Sequence, residues 1–310
     1  MNTPTNPVPG APLGLPVTAP AALSTTRPLY WSIRRELWEN RSIYIAPLVV
    51  AAVVLFGSLI SLITLPHRMR AISTLDPMQQ HKLIEQPYNF AALLLMSTYL
   101  IVAVFYCLDA LHGERRDRSI LFWKSLPVSD LTTVLSKASI PLLILPLITF
   151  ALTVATQSIM VLMSTAILLA SGQRVATLWT HLPLLRMWLM LLYHLLAMHG
   201  IYYAPIYGWL LLASGWARRA VFLWAALPLL AIGVVEKIAF NTSHFVAMLQ
   251  SRLMGGPEAI VYPAQSSVMQ EMTLRTVGRF LISPGLWLGL VVAVAFFAAA
   301  VRLRRYREPI

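Results

Sequence analysis

Long apolar runs without Asp, Glu, Lys or Arg dominate the pattern of hydrophobic and polar positions along the chain. A hydrocarbon core of about 30 Å takes about 20 residues of helix to cross. Helix is the expected state, because an isolated strand leaves backbone groups unpaired in lipid. The pattern predicts an all-α polytopic membrane protein with one domain over 29–310 and six spans, at 43–65, 89–110, 138–170, 184–214, 220–240 and 283–302.

The third apolar run, 138–170, is longer than one span needs but too short for two spans and a turn, which take about 40 residues. It contains Pro141 and Pro146. Proline removes a backbone donor and bends a helix. We therefore expect one helix that overshoots the bilayer or bends near these prolines.

The segment before the first span has a different pattern. Leu29, Ile33 and Leu37 repeat every four residues, and Trp31 and Trp38 flank them. This spacing predicts an amphipathic helix on the membrane surface with interfacial tryptophans. Residues 1–28 are rich in proline and are expected to form a disordered cytoplasmic tail, and the start of the chain lacks a signal-peptide pattern.

The composition supports assignment as a membrane protein, and the distribution of charge predicts the side of the membrane on which the termini lie. The chain is 58% hydrophobic and 12% charged, whereas soluble domains are about 25% charged. Fifteen Lys and Arg residues fall on the side of the termini and nine on the other side. The positive-inside rule then predicts cytoplasmic termini in the cell (inner) membrane. Because the net charge of +12 is explained this way, no nucleic-acid partner is expected. The single cysteine, Cys107, excludes an intrachain disulfide and a cysteine metal cluster.

The charged loop after the second span is the most informative stretch. Glu114 and Arg118 have the spacing of a helical ion pair. Pro127 is expected to end that helix, and Ser129 or Asp130 to cap the next one. Two interpretations of Phe122 and Trp123 remain open: anchors that enter a pocket of a partner protein, or aromatic side chains that dip into the lipid headgroups.

This loop, Glu-Arg-Arg-Asp-Arg-Ser-Ile-Leu-Phe-Trp-Lys-Ser-Leu-Pro-Val-Ser from Glu114 to Ser129, followed by Lys137, resembles the loop between the second and third spans of type-2 ATP-binding-cassette (ABC) permeases. The resemblance implies an exporter subunit whose coupling helix docks on a separate P-loop ATPase. A second permease, identical or related, would complete the substrate path. The short first outer loop and the Pro-rich tail depart from the family. The coupling residues that it implies are Glu114, Arg115, Arg118, Phe122, Trp123, Leu126 and Pro127.

The motifs of covalent chemistry are missing from the sequence. A P-loop needs a lysine directly after a glycine, and none of the four lysines follows one. We therefore predict that the chain is not an enzyme and binds no cofactor or metal, and that ATP and Mg²⁺ bind to the partner. His194 and His199 do not form an H-E-x-x-H motif. A membrane-embedded enzyme built on these histidines, and a scaffold that transports nothing, are the alternative functions.

Polar side chains inside the spans have two interpretations. They line a translocation path, or they form interhelical hydrogen bonds, which contribute about 0.6 kcal/mol each. The pattern favours hydrogen bonding for the threonines and favours neither interpretation for the histidines. The substrate itself is not predicted. The candidate path residues are Thr149, Thr153, Gln157, His194, His199 and Tyr202.

Small residues spaced four apart predict close helix packing in the fourth and sixth spans. Between the fifth and sixth spans, 245–253 and 268–281 are amphipathic and are expected on, or re-entering, the outer membrane surface, where the resemblance implies an outer gate. The packing residues are Gly200, Ala204 and Gly208, and Gly285, Gly289 and Ala293.

Overall fold

The computed structural model describes residues 26–121, 128–253 and 281–306, and the described residues form helices without a strand. Among these residues, six helical segments are long and apolar enough to cross a membrane, so the chain is a multi-pass membrane protein. In chain order these segments, called spans 1 to 6 below, are Ser42–Ser61, Pro77–Arg116, Asp130–Ala170, Ala176–Tyr202, Val221–Phe240 and Pro284–Tyr306. The helix Ala204–Trp216 continues span 4 through Tyr203, and the name span 4 includes it below.

The individual helices follow the same order. They are α1 Thr26–Glu39, α2 Ser42–Ser61, α3 Leu65–Ile72, α4 Pro77–Ala110, α5 His112–Arg116, α6 Asp130–Ser139, α7 Leu145–Ala170, α8 Ala176–Thr180, α9 Leu184–Tyr193, α10 Ala204–Trp216, α11 Val221–Phe240, α12 His244–Leu253 and α13 Pro284–Tyr306. Two π-helical segments, Ile140–Ile144 and His194–Tyr202, lie within spans 3 and 4.

Several boundaries differ from the prediction. Span 2 begins at Pro77 rather than at 89, because Pro77 fits the first turn of a helix, where its missing N–H costs nothing. The predicted outer loop at 66–88 is therefore largely helical, formed by α3 and the start of α4. Helix α1 begins at Thr26, inside the predicted tail, and residues 1–25 of that tail lie outside the described residues.

Span 3 is one continuous helical segment, as expected, and the π-helical turn at Ile140–Ile144 contains Pro141. The π-helical segment of span 4 packs directly against it. A Cβ added at Gly200 would lie only 2.8 Å from the carbonyl oxygen of Leu142. Glycine at position 200 therefore lets the two irregular segments approach at backbone distance.

Spans 2, 3 and 4 hold most of the core. Tyr99 of α4 and Tyr207 and Leu211 of α10 are fully buried at its centre. Span 5 instead exposes large apolar side chains such as Phe222 and Leu230. An outward apolar surface of this kind suits contact with lipid.

Candidate functional site

A cluster of charged side chains is buried at the end of the bundle that carries α1. It contains three carboxylates and three cations, and they come from α1, α5, α6 and α13. We call it the ionic cluster, defined by Arg35, Glu36, Glu114, Asp130, Lys137 and Arg304.

Glu36 of α1 is fully buried and forms the first half of the cluster. Its Oε1 accepts from Arg35 Nη2 at 2.8 Å and from Lys137 Nζ at 2.9 Å. Its Oε2 accepts from the hydroxyl of Tyr106 at 2.9 Å. Both carboxylate oxygens therefore have donors, which is the condition for placing a charge away from water.

Glu114 of α5 forms the second half of the cluster. Its Oε1 lies 2.9 Å from Arg35 Nη2 and 3.2 Å from Lys137 Nζ. Its Oε2 lies 3.1 Å from Arg304 Nη2. Arg35 and Lys137 thus bridge the two glutamates, so the loop after span 2 is tied to α1 and to the start of span 3.

The end of span 6 joins the cluster through Arg304, which is 5% exposed. Its two terminal nitrogens bind different carboxylates, Glu114 and Asp130, the latter at 2.7 Å. A buried charge network of this kind is costly to break, because removing one member leaves the others uncompensated.

The electrostatics of α1 reflect this crowding. Burial alone would lower the pKa of Arg35, but the carboxylates of Glu36, Glu39 and Glu114 outweigh it, so the pKa of Arg35 is raised. Burial raises the pKa of the Glu39 carboxyl above its ordinary value, although Arg35 opposes this. The guanidinium of Arg35 is therefore held firmly in its charged form.

The loop helix α5 is also attached to the end of span 4. The guanidinium of Arg115 donates to the backbone carbonyls of Gly215 at 2.8 Å and Ala217 at 3.2 Å. The hydroxyl of Ser214 accepts from the backbone N–H groups of Leu111 at 3.0 Å and His112 at 2.8 Å. The hydroxyl of Ser214 thus satisfies donors at the start of α5, and the guanidinium of Arg115 satisfies carbonyls at the end of α10, groups that helix ends leave without partners.

The predicted coupling residues are placed as follows. The expected pair between Glu114 and Arg118 is absent from the ion pairs of the described residues. Helix α5 ends at Arg116, and Arg118 has a left-handed backbone with φ of 57°. The helical spacing on which that prediction depended is therefore lost. Phe122, Trp123, Leu126 and Pro127 lie outside the described residues.

The next helix begins as predicted. The hydroxyl of Ser129 accepts from the backbone N–H of Thr132 at 3.1 Å, so Ser129 is the N-cap of α6. Lys137 lies in α6, about two turns after this cap, and its ammonium binds Glu36 and Glu114. This places the last element of the loop motif inside the ionic cluster.

Sequence reasoning did not identify Glu36, Asp130 and Arg304 as members of a site. One signal was present for Glu36: it follows Ile33 by three residues and therefore lies on the apolar face of α1. An acid on that face predicts a buried partner. No local signal pointed to Arg304, because its carboxylates come from parts of the chain more than a hundred residues away.

The polar residues of span 3 form interhelical and local hydrogen bonds. The amide of Gln157 donates to the carbonyl of Tyr88 at 3.0 Å and accepts from Trp188 Nε1 at 2.8 Å, which links spans 2, 3 and 4. Thr153 donates to the carbonyl of Thr149 one turn earlier. The hydroxyl of Thr149 itself is buried and has no hydrogen-bond partner among the described residues.

The histidines of span 4 lie in its π-helical segment. The rings of His194 and His199 are 5.1 Å apart, and His199 also packs on the rings of Tyr99 and Tyr203. The described residues contain no group of three or more His, Cys, Asp or Glu side chains that could hold a metal ion. The two histidines and these two tyrosines therefore form an aromatic cluster inside the bundle, at the level of the π-helical segments.

A single hydroxyl links both π-helical segments. The hydroxyl of Tyr99 lies 2.9 Å from the carbonyl of Pro141, 3.1 Å from that of His199 and 2.8 Å from the hydroxyl of Tyr207. A tyrosine hydroxyl has one proton to donate. It can therefore satisfy only one of the two carbonyls at a time.

The predicted packing residues are only partly in helix seams. A Cβ at Gly208 would lie 3.2 Å from Phe296 Cβ and 3.4 Å from the carbonyl oxygen of Ala293, so spans 4 and 6 approach closely there. Among the described residues, nothing lies within 4 Å of a Cβ added at Gly285, and the atoms nearest a Cβ at Gly289 are those of the Arg252 guanidinium. The second predicted seam, at Gly285, Gly289 and Ala293, stays a prediction.

The chain matches no family model, no curated protein and no solved structure in the comparisons made.

Proposed function

We propose that this chain is the permease subunit of an ABC exporter. It works with a separate P-loop ATPase that binds ATP and Mg²⁺, and with a second permease, identical or related. The observation that carries the proposal is the ionic cluster, because it fixes the loop that resembles a coupling loop to three other elements at one end of the bundle. That end, with both termini, is cytoplasmic in the proposal.

In the proposal, the ionic cluster transmits a displacement of the loop to the rest of the bundle. Glu114 contacts Arg35 of α1, Lys137 of span 3 and Arg304 of span 6. Breaking one buried pair costs about 3–5 kcal/mol, since it leaves a charge uncompensated. A partner that displaces α5 therefore moves α1 and the ends of spans 3 and 6 with it.

The bundle also contains helical segments that can bend when the loop is displaced. Spans 3 and 4 each contain a π-helical segment, and helices bend most readily at such segments. The hydroxyl of Tyr99 has a choice of two carbonyls, one from each segment. In the proposal, a change of partner at Tyr99 accompanies the switch between inward and outward access.

In the proposal the substrate moves between the two permeases. Thr149 is the best supported of the path residues, because its buried hydroxyl is left without a partner among the described residues. Gln157 is the least supported, because its amide already links three spans. The chemical class of the substrate is not part of the proposal.

The test separates docking from transmission. The chain is purified from native membranes, co-purifying proteins are identified, and ATP hydrolysis by the complex is measured. We expect a P-loop ATPase at a fixed ratio in the wild type. Replacing Phe122 and Trp123 with alanine should abolish its co-purification, because buried aromatic anchors contribute about 2 kcal/mol or more each.

Two further variants sharpen the test. Glu114→Gln should keep the ATPase bound but uncouple it from the bundle, so that transport falls while binding remains. Arg116→Ala is the matched control, because its side chain is 59% exposed and lies outside the cluster. Its ATPase binding and its transport should both stay near the wild-type level. A wild-type preparation that carries no P-loop ATPase contradicts the proposed function. Normal ATPase binding by the Phe122/Trp123 variant contradicts only the docking role of those residues.

A further inference from the structure

Helix α12, His244–Leu253, lies against spans 4, 5 and 6 at the end of the bundle opposite α1. A Cβ at Gly233 of span 5 would lie 2.9 Å from Val246 Cγ2. The hydroxyl of Tyr203 in span 4 donates to the carbonyl of Leu253. The helix therefore re-enters the bundle, as its amphipathic sequence allows.

The last turn of α12 brings a positive charge to an apolar level of the bundle. The guanidinium of Arg252 lies beside Gly289, which is five residues into α13, or about 7 Å along the helix at 1.5 Å per residue. On the other side it lies over the ring of Tyr202, 4.6 Å from the ring centroid. Apolar side chains such as Trp287 and Leu288 surround this level of span 6 on the outside.

Among the described residues, Arg252 is held there by backbone carbonyls and not by a carboxylate. Its Nη1 donates to the carbonyl of Tyr202 at 3.3 Å, and its Nη2 donates to the carbonyl of Gly285. None of the ion pairs among residues 26–121, 128–253 and 281–306 includes it. This contrasts with Arg304, whose two nitrogens each bind a carboxylate.

A charged side chain within the apolar layer is expensive and usually has a partner. Two carbonyls use only part of the donor capacity of a guanidinium, which carries more N–H groups in a planar fork. That fork matches the oxygens of a phosphate or carboxylate. The chemistry that completes this arrangement is therefore an oxyanion.

We propose that Arg252, together with the carbonyls of Tyr202 and Gly285, forms a binding site for the phosphate of an anionic phospholipid in the adjacent leaflet. A lipid is favoured over a soluble anion because the guanidinium lies at an apolar level, next to a lipid-facing part of span 6. This inference does not depend on the proposed transport function.

The two glycines of span 6 provide a matched pair of variants. A Cβ at Gly289 would overlap the guanidinium of Arg252. Gly289→Ala therefore displaces the guanidinium from this position without removing its charge. A Cβ at Gly285 meets no described residue within 4 Å, so Gly285→Ala leaves the position of the guanidinium unchanged. Lys237→Gln, at the exposed end of span 5, controls for the loss of a positive charge.

The experiment measures lipid retention by the full-length protein in detergent. Phosphatidylglycerol or phosphatidylcholine is added, and bound lipid is counted by native mass spectrometry. We expect the wild type to retain phosphatidylglycerol preferentially. Loss of one charge-assisted contact of about 1.5 kcal/mol corresponds to about tenfold weaker binding. Arg252→Gln and Gly289→Ala should show that loss, and Gly285→Ala and Lys237→Gln should not.

Four results would overturn the proposal. One is equal phosphatidylglycerol retention by the wild type and Arg252→Gln, and another is full retention by Gly289→Ala. The third is a preference that emerges only when Glu258 and Glu271 are both replaced with Gln, since a carboxylate of this chain would then occupy the site. Addition of inorganic phosphate distinguishes the source: retained lipid supports the phospholipid, whereas displacement overturns it in favour of a soluble oxyanion.

Discussion

The carboxylate of Glu36 and the ammonium of Lys137 lie 2.9 Å apart, although 101 residues separate them in the chain. Both side chains are almost completely buried. The pair joins α1 to the start of span 3, and Glu114 contacts the same ammonium at 3.2 Å. A helix that sequence alone describes as a surface anchor is in this way fastened to the interior of the bundle.

The first prediction concerns this pair. Glu36→Gln and Lys137→Met should each destabilise the protein strongly, because each leaves a buried charge without its partner. The double variant should lose less than the sum of the two, with a coupling of about 0.5–3 kcal/mol. Unfolding of the purified protein in detergent measures it. Additive losses would show that the two side chains do not interact.

The second prediction compares two neighbours in the loop after span 2. Glu114→Gln removes a charge that faces three cations, whereas Arg116→Gln removes an exposed one. Exposed pairs contribute about 0–1 kcal/mol. Thermal unfolding in detergent should therefore show a large drop for Glu114→Gln and almost none for Arg116→Gln. Similar midpoints for the two variants would argue against a buried cluster.

The third prediction is the topology. A Cys107→Ala background removes the only cysteine, which is buried and should tolerate the change. Cysteine at position 116 should then react with an impermeant reagent only from the cytoplasmic side. Cysteine at position 171, exposed at the far end of span 3, should react only from the outside. Labelling of position 116 in intact cells would reverse the orientation.

The fourth prediction tests the seam between spans 4 and 6. Gly208→Val adds atoms where a Cβ alone would already be 3.2 Å from Phe296. Overpacking of this kind costs about 1–3 kcal/mol. Gly57→Val, in span 1, is the control, because a Cβ there meets no described residue within 4 Å. The midpoint of thermal unfolding should fall for Gly208→Val only, and equal behaviour would place Gly208 away from the seam.

The fifth prediction concerns ATP. No lysine of this chain follows a glycine, so the chain lacks a P-loop. The purified single chain should therefore hydrolyse no ATP above the background of a mock preparation. Sustained turnover that persists through repeated purification, with no other protein present, would contradict both this expectation and the proposed division of labour.

The sequence was sufficient to predict the number of spans, because contact with lipid constrains each segment locally. A run of apolar residues without charges must become a helix long enough to cross, and the described part of the chain has six such helices. Ser129 was identified as a cap for the same reason, since capping involves a side chain and a backbone group only three residues apart. The start of span 2 was missed because polar residues from Pro77 onward continue the helix beyond the apolar run.

The sequence by itself therefore determined the class of protein, the number of spans and the distribution of charge along the chain. Only the tertiary structure decided which charges meet, because Glu36, Glu114, Lys137 and Arg304 come from four distant helices and their spacing in the chain carries no information about their distance in space. It likewise decided that Gly289 faces a guanidinium, while Gly208 faces a helix. Local patterns report the environment of one helix, whereas ion pairs and close seams depend on how helices are packed together.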